Sequence, residues 1–236
     1  APLVFAGAMC KLFLKNKGIT VGAHIQSIAQ IQDTPFDDVE LTTETLEALR
    51  LRPYPIQNPR AEEAMLAAIE EARLDGDSVG GVIECAALAL PAGLGSPMLD
   101  TVEGRLASLL FSVPAVKGVE FGAGFAFAGL RGSHANDPYY QDTSGAVRTE
   151  TNNNGGILGG ITSGMPLLFR AAIKPTPSIS RRQETLNLQT GAVEPFTVKG
   201  RHDPCIVTRA APVIEAACAV ALADLYLEGY GYARTK

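Results

Sequence analysis

The pair of segments Asn58-Pro-Arg-Ala-Glu-Glu-Ala-Met-Leu-Ala-Ala-Ile-Glu-Glu-Ala-Arg-Leu74 and Ser78-Val-Gly-Gly-Val-Ile-Glu-Cys-Ala-Ala-Leu-Ala-Leu90 decides the fold class. In the first, Met65, Leu66, Ile69 and Leu74 recur at helical spacing. Asn58 can cap the helix, Pro59 fits the first helical position, and Gly76 ends it. The second is apolar and bounded by Pro91, which reads as a strand. Outward toward the C-terminus, residues 100–110 read as another helix with Asp100 as its cap, and 116–130 as a strand spaced by Gly118, Gly122, Gly124 and Gly129. Helix–strand–helix–strand, with the strands pairing, predicts an α+β layered fold.

The flanks are consistent with this. Residues 1–17 read as a helix with lysines at its end and Gly18 as its stop. Residues 19–31 read as one strand. Residues 34–58 form a connection rich in proline, with a short helix starting near Thr42 to Thr45. Residues 133–155 are polar and read as a long loop, 180–191 as a hairpin or loop, and 210–227 as an alanine-rich helix. No linker divides the chain, so residues 1–236 are expected to form a single domain.

Composition narrows the function. The 236 residues are 46% hydrophobic and 19% charged, enough to build a sizeable core and too apolar for a disordered chain. The net charge of -5 argues against a nucleic-acid binder, which needs a basic field. The apolar run at 216–223 is closed by Glu215 and Asp224, so no membrane span is expected. The N-terminus lacks the basic-then-apolar order of a signal peptide. Cys10, Cys85, Cys205 and Cys218 form no C-x-x-C pair and read as reduced thiols of a cytosolic protein. With His24, His134 and His202 dispersed, no metal site is expected.

Three segments are candidates for chemistry. Asn152-Asn-Asn-Gly-Gly-Ile-Leu-Gly-Gly-Ile-Thr-Ser-Gly164 has paired glycines that let a backbone or a flat ligand come close. Its structural alternative is a bulged strand with tight turns. Lys174-Pro-Thr-Pro-Ser178 is a stiff strip offering an ammonium and two hydroxyls, which suits a phosphate. Its alternative is a plain exit loop after a strand. Gly200-Arg-His-Asp-Pro-Cys205 puts Arg201, His202 and Asp203 just ahead of a long helix. Strand alternation would put Arg201 and Asp203 on one face, and the alternative is a capping network. No Walker loop, G-x-S-x-G elbow or H-E-x-x-H is present.

Taken with Pro91-Ala-Gly-Leu-Gly95, Ala115-Val-Lys-Gly-Val-Glu-Phe-Gly-Ala-Gly-Phe125 and Arg131-Gly-Ser-His-Ala-Asn-Asp137, these segments, in this order, resemble the chorismate synthase family. The resemblance implies an α+β sandwich of antiparallel sheets with helices packed between them. It implies a reduced-FMN-dependent 1,4-elimination of phosphate from 5-enolpyruvylshikimate 3-phosphate, giving chorismate. It also implies a cytoplasmic homotetramer, NADPH as a candidate reductant, and no nucleic-acid or membrane partner.

Carried over by motif, Pro114 and Ala115 would line the FMN site, and Gly159 would let the flavin approach the backbone. Lys174, Pro175, Thr176, Pro177 and Ser178 would hold the FMN side with its phosphate. Arg201 would lie between flavin and substrate, Asp203 would assist proton removal, and His202 would be structural. Pro114 stands where the family can have Asn, which removes a side-chain hydrogen bond. The family's Gly-x-Ser-His-Gly segment, arginine cluster, second active-site histidine and Arg-Ser-Ser stretch do not occur in these residues. The chain is therefore expected to be a core or C-terminal portion, weakly active or inactive by itself, with Arg131 and Arg209 as further cations. The rival expectations are a non-catalytic flavin-binding or assembly module, and a purely structural domain.

Overall fold

The computed structural model describes residues 1–231. Helix α1 (Pro2–Lys15) leads into strand β1 (Thr20–Ile28) and a short β2 (Ile31–Gln32). Helices α2 (Thr43–Arg50) and α3 (Pro59–Leu74) precede β3 (Gly81–Leu88), α4 (Val102–Phe111) and β4 (Val116–Phe121). The one-turn helix α5 (Gly132–Ala135) is followed by the hairpins β5 (Tyr139–Gln141)/β6 (Val147–Thr149) and β7 (Ile157–Leu158)/β8 (Ile161–Thr162). Strand β9 (Leu167–Ile173), the hairpin β10 (Gln183–Leu186)/β11 (Val193–Phe196) and the long helix α6 (Val207–Tyr230) complete the described chain.

The five strands β2-β1-β3-β9-β4 form one antiparallel sheet. With helices layered on it, this is the expected α+β class. β3 is central and buried from Ile83 to Leu88, which is why its sequence is nearly all apolar instead of alternating. On one face, the rows Ile25–Ile83–Ala171 and Ala23–Cys85–Phe169 meet α6 and α1. On the other, Leu46 and Leu49 of α2 and Phe36 cover Ala86, Leu88 and Leu168.

Helix α3 has the bounds read from the sequence, and the Asn58 side chain accepts from the Arg60 N–H. Four expectations are corrected. The single strand at 19–31 is a hairpin, because Ala29 takes a left-handed turn (φ 51°). Thr101, not Asp100, caps α4, its Oγ1 accepting from Gly104 N; Asp100 closes a 3₁₀ turn before it. The strand expected at 116–130 stops at Phe121, where Gly122 and Gly124 (φ 54° and 53°) turn the chain into a 3₁₀ segment. The loop expected at 133–155 contains α5 and the β5/β6 hairpin.

Helix α6 runs 24 residues and is long and apolar enough to cross a membrane, by length and composition. The sequence reading counted only its middle. In the fold it packs against α1, α4 and the sheet, with 56% of its most apolar window buried. It crosses α1 where Gly7 meets Ala216. A Cβ at Gly7 would lie 2.3 Å from Ala216 Cβ and 2.5 Å from its Cα.

The second sheet face carries a buried polar group. His24 on β1 is fully buried; its Nε2 lies 2.8 Å from Glu84 Oε2 and its Nδ1 3.2 Å from Asp33 Oδ2. Asp33 also accepts from the Gln57 and Asn58 N–H groups, and Glu84 from Phe36 N. Burial works against charge on His24, but the hydrogen bonds to Asp33 and Glu84 outweigh it and raise its pKa. Burial likewise pushes the Asp33 carboxyl up, and the bonds from His24, Gln57 and Asn58 more than reverse this.

Gly7→Ala should destabilise the protein. Helix propensity favours Ala by about 1 kcal/mol, but backbone overlap at the crossing costs about 1–3 kcal/mol, and Ala216 cannot yield without moving α6. A lower urea midpoint checks this. His24→Ala, which leaves two buried carboxylates without their cation, should cost about 3–5 kcal/mol. The His24 contribution is full below its unfolded pKa and fades as pH rises through the raised folded value. That of Asp33 is full above its unfolded pKa and fades as pH falls through the lowered one. Denaturation across pH should therefore place maximum stability between roughly pH 4 and 6.5, and His24→Gln should flatten the high-pH limb.

Candidate functional site

Two of the three candidate segments, 174–178 and 200–205, meet at one end of the large sheet, where β3 begins and β9 ends. Beyond β9, Lys174 N donates to the Ala115 carbonyl at 2.9 Å, which seats the strip at 174–178 beside Pro114 and Ala115. Ala115 sits in the left-handed region (φ 74°), a strained position for a residue with a Cβ. From the other side, Val79 N donates to the Pro204 carbonyl at 2.8 Å, which brings the Arg201-His-Asp203 segment to the same end.

The side chains here are disposed for an anion. Lys174 and Arg201 are exposed, and among the described residues neither makes a hydrogen bond or ion pair. Lys117 is also exposed and unpaired, next to Val116, which is in register with Ile173. Thr176 Oγ1 is buried without a hydrogen-bond partner among the described residues. Pro114, Pro175 and Pro177 are exposed and Ser178 is half-buried, so the cluster forms an open rim. Three unpaired cations around a proline-stiffened strip that carries a spare hydroxyl are the donor set a phosphate takes.

Residues 201–204 are not a strand, so the alternation expected for Arg201 and Asp203 has no strand to act on. Asp203 Oδ2 instead accepts from Arg209 Nη1 of α6 at 3.0 Å, which commits Arg209. His202 Nε2 lies 3.3 Å from the Val198 carbonyl. Cys205 accepts from the N–H groups of Val207 and Thr208 at the helix start; burial, the larger effect, raises its pKa. Of the network expected ahead of the helix, the Asp203–Arg209 pair is present, and Arg201 takes no part in it.

Gly159 is not brought to this rim. It turns β7 into β8 with φ 62°, and an added Cβ there would meet nothing within 4 Å. The neighbouring Gly156 packs on Leu167, at the start of β9. Lys174 follows the far end of that seven-residue strand, roughly 20 Å away at about 3.3 Å per residue. Of the motif's other glycines, Gly155 and Gly156 face backbone, Gly160 faces the Thr101 side chain and backbone, and Gly164 meets only Ala92. A Cβ on Gly155 would lie 2.5 Å from Gly122 N, and one on Gly160 2.9 Å from Ser96 O. Asp137 ties this region to the segment that follows α5, accepting from Asn153 N, Asn153 Nδ2, Asn154 N, Asn154 Nδ2 and Thr151 Oγ1. Burial opposes its charge, and these bonds, that of Asn154 foremost, hold its carboxyl below the usual range.

Sequence reasoning missed the start of β3. Ser78 Oγ donates to the Thr176 carbonyl at 2.7 Å, and Gly80 packs on Ile173 and Pro175. The paired glycines Gly80 and Gly81 were the available signal, read there only as part of a strand.

Fold and rim together define an α+β protein with an anion-facing edge built from three separate loops. A family model described as chorismate synthase matches residues 1–227, and the chain belongs to that family. It is 48% identical over 222 residues to a chorismate synthase of Thermococcus gammatolerans, covering 94% of this chain and 60% of that one. It is 56% identical over 167 residues to a chorismate synthase of Dehalococcoides mccartyi, covering 71% of this chain and 46% of the relative. A solved structure described as a crystal structure of chorismate synthase superposes with a TM-score of 0.78 at 32% identity, covering 96% of this chain and 62% of that one. The chain spans about 60% of the length of the first of these relatives.

Asp137→Ala should leave five donors without their acceptor and cost about 2–3 kcal/mol. Hydrogen exchange should rise across 131–156 and stay unchanged in α6.

Proposed function

We propose that this chain supplies the flavin-facing rim of a chorismate synthase, which converts 5-enolpyruvylshikimate 3-phosphate to chorismate in aromatic amino-acid biosynthesis. Family membership over residues 1–227 carries the reaction class. The observation that carries the site is the convergence of Ala115, the strip at 174–178 and Arg201 at one end of the sheet, with cations left unpaired.

The residues fit FMN. Lys174 and the hydroxyls of Thr176 and Ser178 are the groups for its phosphate, the buried Thr176 hydroxyl being a donor in want of an acceptor. Pro114 and Ala115 line the same rim. Gly159 offers an uncovered backbone turn where a flat ring can approach. Reduced FMN, when bound, supplies electron density toward the carbon–oxygen bond that breaks.

In the same proposal Arg201 holds an anionic group of the substrate, which bears a phosphate and two carboxylates, against the cofactor side of the rim. It stabilises charge that grows on the departing phosphate oxygen. Asp203 would take up the proton lost from substrate C6, and Arg209 fixes the orientation of its carboxylate. His202 keeps its structural bond to Val198. The proposal takes residues 1–236 as one domain, within a homotetrameric cytoplasmic enzyme, with NADPH as a candidate reductant.

The test is a titration of FMN into the chain under reducing conditions with 5-enolpyruvylshikimate 3-phosphate present, followed by flavin absorbance. Saturable binding is expected. Lys174→Ala and Arg201→Ala should each weaken it about tenfold or more, since a charge-assisted bond contributes about 1.5–3 kcal/mol. Binding that is absent, or indifferent to both substitutions, overturns the assignment.

A further inference from the structure

We propose that the segment Asp77-Ser-Val-Gly-Gly81 belongs to the site, with Ser78 and Gly80 as positioning residues that set the strip at 174–178 for a phosphate; this rests on the assignment of that strip to the FMN phosphate. The strip cannot hold itself. Pro175 and Pro177 have no N–H, so neither can donate a backbone bond. Beyond the Lys174 N–H bond to Ala115, the strip is held through its carbonyls and by packing.

Ser78 supplies the hold. Its Oγ donates to the Thr176 carbonyl at 2.7 Å, a bond between residues 98 apart in the chain. That carbonyl belongs to the peptide between Thr176 and Pro177, so the bond fixes the Thr176 backbone and with it the direction of the buried, unpartnered hydroxyl. Ser78 is itself fixed, its N–H bonded to Asp77 Oδ1 at 2.8 Å. The other Asp77 oxygen pairs with Arg181 at 3.1 Å, just beyond the strip, while Arg181 N donates to the Gly76 carbonyl.

Gly80 supplies the space. A Cβ there would lie 2.4 Å from the Ile173 carbonyl oxygen and 3.0 Å from Pro175 N and Cδ. Two of these are backbone atoms and the third is in a rigid ring, so none can swing aside as a flexible side chain would. Any larger residue displaces the strip outward. Val79, between the two, donates to Pro204 and ties the same segment to the Arg201 loop. One five-residue segment therefore sets the distance between the Lys174 and Arg201 cations.

The experiment combines amide hydrogen exchange on the ligand-free chain with FMN titration, for wild type, Ser78→Ala, Ser78→Thr, Gly80→Ala and Lys174→Ala. Ser78→Ala should raise exchange at the Lys174 amide, the strip's bonded N–H, about tenfold, leave α6 unchanged, and weaken FMN about fivefold, as loss of one buried bond implies. Ser78→Thr keeps the hydroxyl and should restore both readouts to within about twofold. Gly80→Ala should weaken FMN about tenfold or more. Should Ser78→Ala lose its cooperative unfolding transition, Gly80→Ala and Ser78→Thr decide by the same readouts. Lys174→Ala weakening FMN while Ser78→Ala and Gly80→Ala bind like wild type overturns the positioning role and leaves the strip's assignment intact. If Lys174→Ala binds like wild type, or wild type does not bind, the assignment fails and this inference with it.

Discussion

The burial of β3 on both faces is the constraint from which the rest of the molecule follows. A strand hydrogen-bonded to β1 and β9 and covered by α6 on one side and α2 on the other has no freedom to slip, because a one-residue shift would exchange its two faces. Its N-terminal end is therefore fixed. There the chain leaves α3, passes Asp77 to Gly81, and meets both the exit of β9 and the approach to α6. The rim is built at that end because the exit of β9, the turn before β4 and the approach to α6 all meet beside the start of this buried strand. Binding residues placed by such a strand lose little entropy on binding, which is the usual advantage of loops on a rigid scaffold.

The same burial creates the polar row on the second face. The register places His24, Glu84, Arg170 and Glu120 side by side across β1, β3, β9 and β4. Arg170 Nε lies 2.9 Å from Glu120 Oε1, and its Nη2 donates to the Gly122 carbonyl. Each charge thus has a partner, as burial requires. Glu120 also accepts from Phe125 N, holding the 3₁₀ segment that follows Gly122. The row couples the turn after β4 to the centre of the sheet, so the glycine-rich loops at the far end from Lys174 rest on the same strands as the rim.

How far the sequence could be read depended on the range of the forces involved. Helix α3 is local: Asn58, Pro59 and Gly76 punctuate it, and the bounds agree with the structure. The start of α4 is local too, but Asp100 and the adjacent Thr101 are both acceptable caps, and the bond from Val102 N to the Gly160 carbonyl selects Thr101. Ala29 carries no turn signal at all; its left-handed conformation follows from pairing β1 to β2 and a bond from its N–H to Gly80. Strand β9 was mentioned only as what precedes Lys174, although it is the second most central strand. The site residues came from the resemblance, and their convergence rests on bonds such as Lys174 to Ala115 and Val79 to Pro204, which join residues 59 and 125 apart. Ser78 shows the limit: a serine before two glycines is unremarkable in sequence, and its partner lies 98 residues away.

Charge closes the account of the rim. The chain carries 25 acidic and 20 basic residues, and many of its cations have a local carboxylate: Arg73 with Glu70, Arg105 with Asp100, Asp224 and Glu228, Arg170 with Glu120, Arg181 with Asp77, Arg209 with Asp203. An acidic protein has carboxylates to spare, so cations left without one are a feature of placement and not of supply. Among the described residues, Lys117, Lys174 and Arg201 have no partner at the sheet end where proline has also removed backbone donors and where Thr176 holds a hydroxyl without an acceptor. Arg209 marks the boundary, since it neutralises Asp203 and keeps that carboxylate from collapsing onto Arg201. Unpaired cations gathered at one edge of a net negative chain draw an anion there, and exposed charges act over roughly the 8–10 Å screening length.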